Sequence, residues 1–152
     1  MKNVTKSSTL ILKIKMKRTA FVLMCMMMTL ASCVETEQVD VLIVGGGASG
    51  ISAGIQCARM GVPAMIVEET PWVGGMLTAA GVSCVDGNYN LRSGIFGEFA
   101  DSLAQRYGGW EALKTGWVSN INFEPQVGQE ILTNMAAACE KLEVRRETVM
   151  LD

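Results

Sequence analysis

Four residues carry the plainest chemical potential in the chain: Gly45, Gly47, Gly50 and Glu68. The run Gly45-Gly46-Gly47-Ala48-Ser49-Gly50 has the spacing Gly-x-Gly-x-x-Gly. Each glycine in such a run answers a physical need. Gly45 permits a tight turn, Gly47 lets the backbone approach a pyrophosphate with no Cβ in the way, and Gly50 lets a helix pack close to a strand. A helix that opens here presents its first N–H groups, and the positive end of its dipole, to phosphate oxygens. Glu68 follows Gly50 by 18 residues. A carboxylate at that distance can accept hydrogen bonds from both hydroxyls of an adenosine ribose, and it repels a 2′-phosphate, which disfavours NADP. The competing reading is a glycine turn between packed elements with a surface glutamate.

The elements needed to position these groups are present in order. Residues 39–44 are an almost continuous β-branched, apolar run, the pattern of a strand buried on both faces. The glycine run follows directly as a turn. Residues 51–60 read as a helix, stopped by Gly61 and Pro63. Residues 64–67 form a second apolar strand that ends at Glu68-Glu69. Strand, helix and strand make one βαβ unit with a right-handed crossover. This is the setting that turns a bare glycine spacing into a dinucleotide fingerprint.

Further on, residues 70–92 are rich in glycine and small side chains and read as loop. Ile95, Phe96, Phe99, Leu103 and Tyr107 recur at three and four residues, so 94–107 is an amphipathic helix ended by Gly108-Gly109. Residues 110–123 are less regular. Glu124-Pro125 starts another helix, with Val127, Ile131, Leu132, Met135 and Cys139 as its buried stripe. Residues 144–150 alternate weakly and read as a strand. The fold class expected is α/β: a Rossmann-like dinucleotide-binding domain with a parallel sheet, preceded by a signal-peptide helix.

That leader is visible in charge and hydropathy. Residues 1–32 hold six basic residues and no acid, and an apolar run follows the basic start. The run is shorter than the roughly 20 apolar residues of a membrane-spanning helix. It ends in Leu30-Ala31-Ser32-Cys33, which resembles the lipobox of bacterial lipoproteins. The resemblance implies cleavage before Cys33, lipidation of its thiol, and export with a lipid anchor to the bacterial cell envelope, on its periplasmic or cell-surface side. Met16-Lys17-Arg18 offers an alternative start. The expected organisation is a leader at 1–32, a polar tether at 33–38 and the nucleotide-binding domain at 39–152. Beyond the leader, seven basic residues face 15 acidic ones, which argues against nucleic acid as a partner. The chain has no histidine, which excludes a His-based triad or His metal site within it. Cys57, Cys84 and Cys139 show no CxxC spacing, so neither a disulfide framework nor a zinc site is expected.

The segment after Glu68 separates FAD from NAD by resemblance. Glu68-Glu69-Thr70-Pro71-Trp72-Val73-Gly74-Gly75-Met76 is similar to the acidic residue, short spacer and Gly-Gly pair of FAD-dependent oxidoreductases with two dinucleotide-binding domains. Gly74-Gly75-Met76-Leu77-Thr78-Ala79-Ala80-Gly81, Asp86-Gly87, Gly94-Ile95-Phe96-Gly97-Glu98-Phe99, Thr115-Gly116-Trp117-Val118 and Phe123-Glu124-Pro125 look like the bacterial FAD-dependent oxidoreductase family. The resemblance covers residues 39–151. It implies FAD as cofactor, held by Gly45, Gly46, Gly47, Ala48, Ser49, Gly50, Glu68, Glu69, Gly74, Gly75 and Met76, with Val149 or Met150 against the adenine. Members of that family continue well past this length, so the chain is expected to be an amino-terminal part carrying the ADP-binding half.

The activity implied is oxidation or reduction of a small molecule, with carbohydrate as one candidate class. No catalytic acid or base is assigned, because in flavin chemistry the cofactor takes the hydride and the protein positions it. Two other functions stay open: an NAD-dependent dehydrogenase fragment, and a non-catalytic nucleotide-binding module. Cys84, after the Gly-Gly pair, reads first as a packed thiol and second as a redox group. Oligomeric state has no signature in the sequence.

Overall fold

A computed structural model describes residues 36–86, 90–117 and 119–151. The leader, Cys33, Gly87 and Val118 lie outside the described residues. One compact unit runs from Val39 to Asp152. Residues 36–38, at the end of the expected tether, are exposed and without regular structure.

Strand β1 (Val41–Val44) leads through the glycine turn into helix α1 (Ala48–Arg59), and β2 (Ala64–Val67) returns parallel to β1. A single-turn 3₁₀ helix at Gly75–Leu77 and a two-residue strand β3 (Cys84–Val85) break up the expected loop. Helix α2 spans Gly94–Tyr107, the segment its apolar spacing predicts, and Gly108 ends it in the left-handed region at φ 82. A second 3₁₀ turn at Trp110–Leu113 and strand β4 (Ile121–Asn122) follow, with β4 antiparallel to β3. Helix α3 (Pro125–Ala137) opens with proline in its first turn, as expected. Strand β5 (Leu142–Arg145) joins β2 in parallel, so the main sheet has the order β1-β2-β5. Strand order running outward from β1 through β2 is that of one half of a doubly wound nucleotide-binding sheet.

Register explains the core. Ile43, Ile66 and Val144 are aligned across the three strands and share one face. Helix α1 packs on that face along all three strands, and α3 packs beside β5. Ile51, Ile55 and Ile66 are fully buried there. Gly54 allows the close approach. A Cβ on it would stand 2.6 Å from Ile66 Cδ1 and 2.9 Å from Leu142 Cδ1. Phe99 of α2 meets Phe123 edge-on, with ring centroids 5.4 Å apart.

Four expectations are corrected. Helix α1 begins at Ala48 rather than residue 51, so its first turn lies inside the fingerprint. Strand β1 is shorter than 39–44 and is half-buried on one face only; Leu42 is 51% and Val44 57% exposed. Its apolar run reports composition, while burial needs a second layer, and the described helices pack on the opposite face. The expected stripe of α3 holds in part: Leu132 is buried, and Val127, Ile131, Met135 and, past the helix end, Cys139 pack half-buried against the core, but the most buried line runs through Gly128, Leu132 and Ala136. Phe123 occupies the space a larger residue at Gly128 would need, since a Cβ there would be 2.5 Å from its ring. The last strand covers Leu142–Arg145 rather than 144–150, because Glu147 takes φ 53 and breaks the extension.

Candidate functional site

The fingerprint occupies the junction between β1 and α1, as the glycine spacing requires. Gly45 has φ 96, a left-handed conformation that favours glycine, and its N–H donates to Val67 C=O at 2.8 Å. Gly50 faces inward. A Cβ on it would fall onto the carbonyl oxygen of Gly45, across the turn. Gly47 differs from both. Its φ of −61 and ψ of −179 suit any residue, and a Cβ built on it meets nothing within 4 Å. The turn itself therefore does not require glycine at position 47.

Helix α1 has no side-chain cap and no acidic residue in its first turn. Ile51 N–H makes the first intrahelical bond, to Gly47 C=O at 2.9 Å. Ala48, Ser49 and Gly50 thus begin the helix with their N–H groups directed outward, a donor set suited to phosphate oxygens. Ser49 and Ala48 are exposed at that end.

Glu68 points into the bend. It is 7% exposed, and Gly46 N–H donates to its Oε2 at 2.6 Å. Its other oxygen, Oε1, accepts from Thr70 N–H at 2.9 Å and from the Thr70 hydroxyl at 2.6 Å. Burial pushes the carboxyl upward, but the Thr70 hydroxyl, the Thr70 amide and the Gly46 amide together hold it below the ordinary range. Glu68 is consequently an ionised acceptor at neutral pH. Glu69 is exposed beside it.

The Gly-Gly pair is folded back onto the fingerprint. Gly74 N–H donates to Gly46 C=O at 2.8 Å, and Gly47 and Gly74 form an isolated parallel bridge. Gly74 has φ 107, and a Cβ there would be 2.6 Å from Thr78 Cγ2. Gly75 has φ 55, with its Cβ position 3.0 Å from Gly47 Cα. Met76 follows in the 3₁₀ turn, 66% exposed. Thr78, 1% exposed, pins the pair by donating to Val73 C=O at 2.6 Å.

A cavity of about 310 Å³ adjoins Glu68, lined by Val44, Gly45, Val67, Glu68, Glu69, Thr148, Val149 and Met150. Val149 is outside any strand yet reaches this cavity, because the chain after β5 is tied to the Glu68 segment. Thr148 N–H donates to Glu68 C=O at 3.0 Å and Glu147 N–H to Thr70 C=O at 3.4 Å. The residues from the glycine run, Glu68, the Gly-Gly pair and Val149 therefore converge on one region.

The FAD dependent oxidoreductase family model matches residues 40–152. The chain belongs to the FAD dependent oxidoreductase family. It is 34% identical over 74 residues to mitochondrial dihydrolipoyl dehydrogenase of Dictyostelium discoideum, covering 49% of this chain and 15% of that protein. It is 32% identical over 105 residues to NADH:fumarate oxidoreductase of Klebsiella pneumoniae, covering 68% of this chain and 10% of that protein. The chain thus spans a small fraction of the length of these relatives. Among solved structures, p-nitrophenol 4-monooxygenase PnpA of Pseudomonas putida aligns at TM-score 0.48 and 15% identity, over 75% of this chain and 33% of that one.

FAD is the cofactor of this family, and the residues present fit its ADP half. The open space at Gly47, the uncapped start of α1 and the buried acceptor Glu68 are the features a pyrophosphate linked to a ribose requires.

Other residues fall outside this region. Cys84 lies in β3, half-buried, and lines a depression of about 840 Å³ with Tyr107, Thr115, Asn122 and Glu124. Cys57, Cys84 and Cys139 are free thiols. Glu98 forms a bidentate pair with Arg59 at 2.6 and 2.7 Å, and Arg106 meets Glu130 at 3.3 Å. Arg92 stacks over Trp110, 3.9 Å from the ring centroid, and Trp117 is fully exposed. Sequence reasoning overlooked Thr70 and Thr78. A hydroxyl two residues after a carboxylate is a signal for a local i to i+2 contact, and it was available for Thr70.

Proposed function

We propose that this chain is the ADP-binding part of an exported, lipid-anchored flavoprotein that oxidises or reduces a small molecule, with carbohydrate as one candidate substrate class. The observation that carries the reading is Glu68: a buried, ionised carboxylate held 2.6 Å from Gly46 N–H, beside an uncapped helix start. In this reading the N–H groups of Ala48, Ser49 and Gly50 bind the pyrophosphate. Glu68 accepts from the ribose hydroxyls and rejects a 2′-phosphate. Val44, Val67 and Val149 give the adenine apolar walls, and Gly74-Gly75 keeps the fingerprint side free of side chains. When bound, the flavin supplies the hydride acceptor. The work of this chain is to fix the cofactor's nucleotide end so that its ring is presented at a constant place.

Support for export and anchoring comes from the order of basic flank, apolar run and Leu30-Ala31-Ser32-Cys33. Acyl chains contribute about 0.8 kcal/mol per buried CH₂, so more than one gives stable anchoring. Two measurements test the proposal. Nucleotide released by heat from the purified protein is expected to be FAD; recovery of a nicotinamide dinucleotide instead contradicts it. Cys33→Ala is expected to abolish lipid labelling and release the protein from membranes. Full membrane partitioning of that variant overturns the anchor.

A further inference from the structure

The Thr70 hydroxyl has two acceptors within reach and one hydrogen to give. It stands 2.6 Å from Glu68 Oε1 and 2.8 Å from the carbonyl oxygen of Trp72. A hydroxyl donates to one partner at a time. The cavity at Glu68 is lined without Thr70, whose hydroxyl contacts Glu68 instead.

The acceptor capacity of Glu68 makes the choice between these partners consequential. An ionised carboxylate offers about four lone-pair sites. Gly46 N–H, Thr70 N–H and the Thr70 hydroxyl already use three of them. A ribose brings two more donors, one beyond capacity. The two backbone donors are fixed: Gly46 by the turn, and Thr70 because its C=O accepts from Glu147 N–H while Glu68 C=O accepts from Thr148 N–H. The hydroxyl alone can leave, by rotation about one bond, and it loses nothing because Trp72 C=O is already in place.

We propose that Thr70 is a positioning residue whose hydroxyl exchanges partners: it donates to Glu68 when no nucleotide is bound and turns to Trp72 C=O when two ribose hydroxyls arrive. This rests on the assignment of Glu68 as the ribose acceptor. The exchange keeps the buried carboxylate within its acceptor capacity and leaves all of its sites filled when a ribose is bound, which matters because an unfilled site on a buried charge is costly.

Two consequences follow. With one ribose hydroxyl missing, the Thr70 hydroxyl stays on Glu68 and fills the vacated site. The unaltered chain therefore discriminates weakly between ADP and 2′-deoxy-ADP. Thr70→Val removes this reserve donor while keeping the β-branched shape. ADP still fills the carboxylate, but 2′-deoxy-ADP leaves one site empty.

The test is calorimetric titration of the full chain with ADP and with 2′-deoxy-ADP. In Thr70→Val the preference for ADP is expected to widen by roughly tenfold, the effect of one unsatisfied charged acceptor. Thr70→Ser, which keeps the hydroxyl, is expected to restore the ratio of the unaltered chain. Thr70→Ala, which deletes the hydroxyl by truncation, is expected to match Thr70→Val and covers the case in which the valine variant folds poorly. An unchanged ratio in both hydroxyl-free variants, or equal weakening of both ligands, overturns the exchange.

A second arm needs no nucleotide. Carboxyl-carbon NMR titration of Glu68 is expected to show a higher midpoint in Thr70→Val than in the unaltered chain or Thr70→Ser. Glu69 is the other ionisable side chain lining the cavity. If the unaltered chain binds no ADP, the functional reading fails and the exchange with ribose fails with it. If ADP binds but neither the ratio nor the midpoint responds to loss of the hydroxyl, the failure belongs to Thr70 alone.

Discussion

Gly47→Ala separates a glycine kept for folding from one kept for a ligand. Its φ of −61 and ψ of −179 are open to alanine, and the added Cβ meets no atom within 4 Å. Two small effects on stability oppose each other. Alanine narrows the unfolded ensemble, which stabilises by about 0.4–1 kcal/mol. Gly47 is also the N-cap of α1, where alanine is a poorer residue by about 0.5–1 kcal/mol. The net change is expected to lie within about 0.5 kcal/mol, a shift in Tm of no more than roughly 3 °C. Binding should respond quite differently. The methyl group projects into the space that a pyrophosphate must enter to reach the α1 N–H groups. Loss of one hydrogen bond to a charged oxygen costs about 1.5–3 kcal/mol, a fall in ADP affinity of roughly 10- to 150-fold. Thermal unfolding and calorimetric ADP titration on the same sample give both numbers. A large drop in Tm, or an unaltered ADP affinity with Tm preserved, refutes the reasoning.

Three further substitutions probe neighbouring parts. Gly50→Ala drives a methyl onto the Gly45 carbonyl, and chemical denaturation is expected to show a loss of about 1–3 kcal/mol or more, because the obstructing atom is backbone. Glu68→Gln removes the charge that the Gly46 and Thr70 donors meet, and ADP affinity is expected to fall roughly tenfold or more at neutral pH. In the unaltered chain the Glu68 carboxyl is depressed below its unfolded value. Its contribution is therefore complete above the unfolded pKa and lost as pH falls through the folded one, so stability and ADP binding should both show an acid limb that Glu68→Gln lacks. Arg59→Ala breaks the bidentate pair with Glu98, but the two side chains are 37% and 48% exposed, and denaturation is expected to show no more than about 1 kcal/mol of change.

The site was more legible in the sequence than the sheet around it. Gly45, Gly47, Gly50 and Glu68 are tied to one another by covalent spacing and by the geometry of a strand–turn–helix, so their meeting could be read from residue order. Helix α2 was legible for a similar reason, since its apolar spacing and Gly108 stop fix both ends. What could not be read depended on neighbours distant in the chain. The exposure of Leu42 and Val44 depends on which layers cover the sheet, and hydropathy carries no such information. The buried line of α3 through Gly128 and Ala136 is set by Phe123 and the approach of other elements, where small residues give a weak apolar signal. The end of β5 turns on a single left-handed residue, Glu147, a conformation that glutamate rarely announces. Thr70 acts on Glu68 through a curl of backbone after β2 that only the bonds to residues 147 and 148 define.

The claim on which the account stands is that the β1–α1 turn and Glu68 together receive the ADP half of FAD. Titration of ADP into the isotope-labelled chain, followed by amide NMR, addresses it most directly. Saturable shifts at Ala48, Ser49 and Gly50, accompanied by Glu68 and Val149, are the predicted result. Saturable shifts centred instead on the Cys84 depression, or no shifts at the start of α1, contradict it.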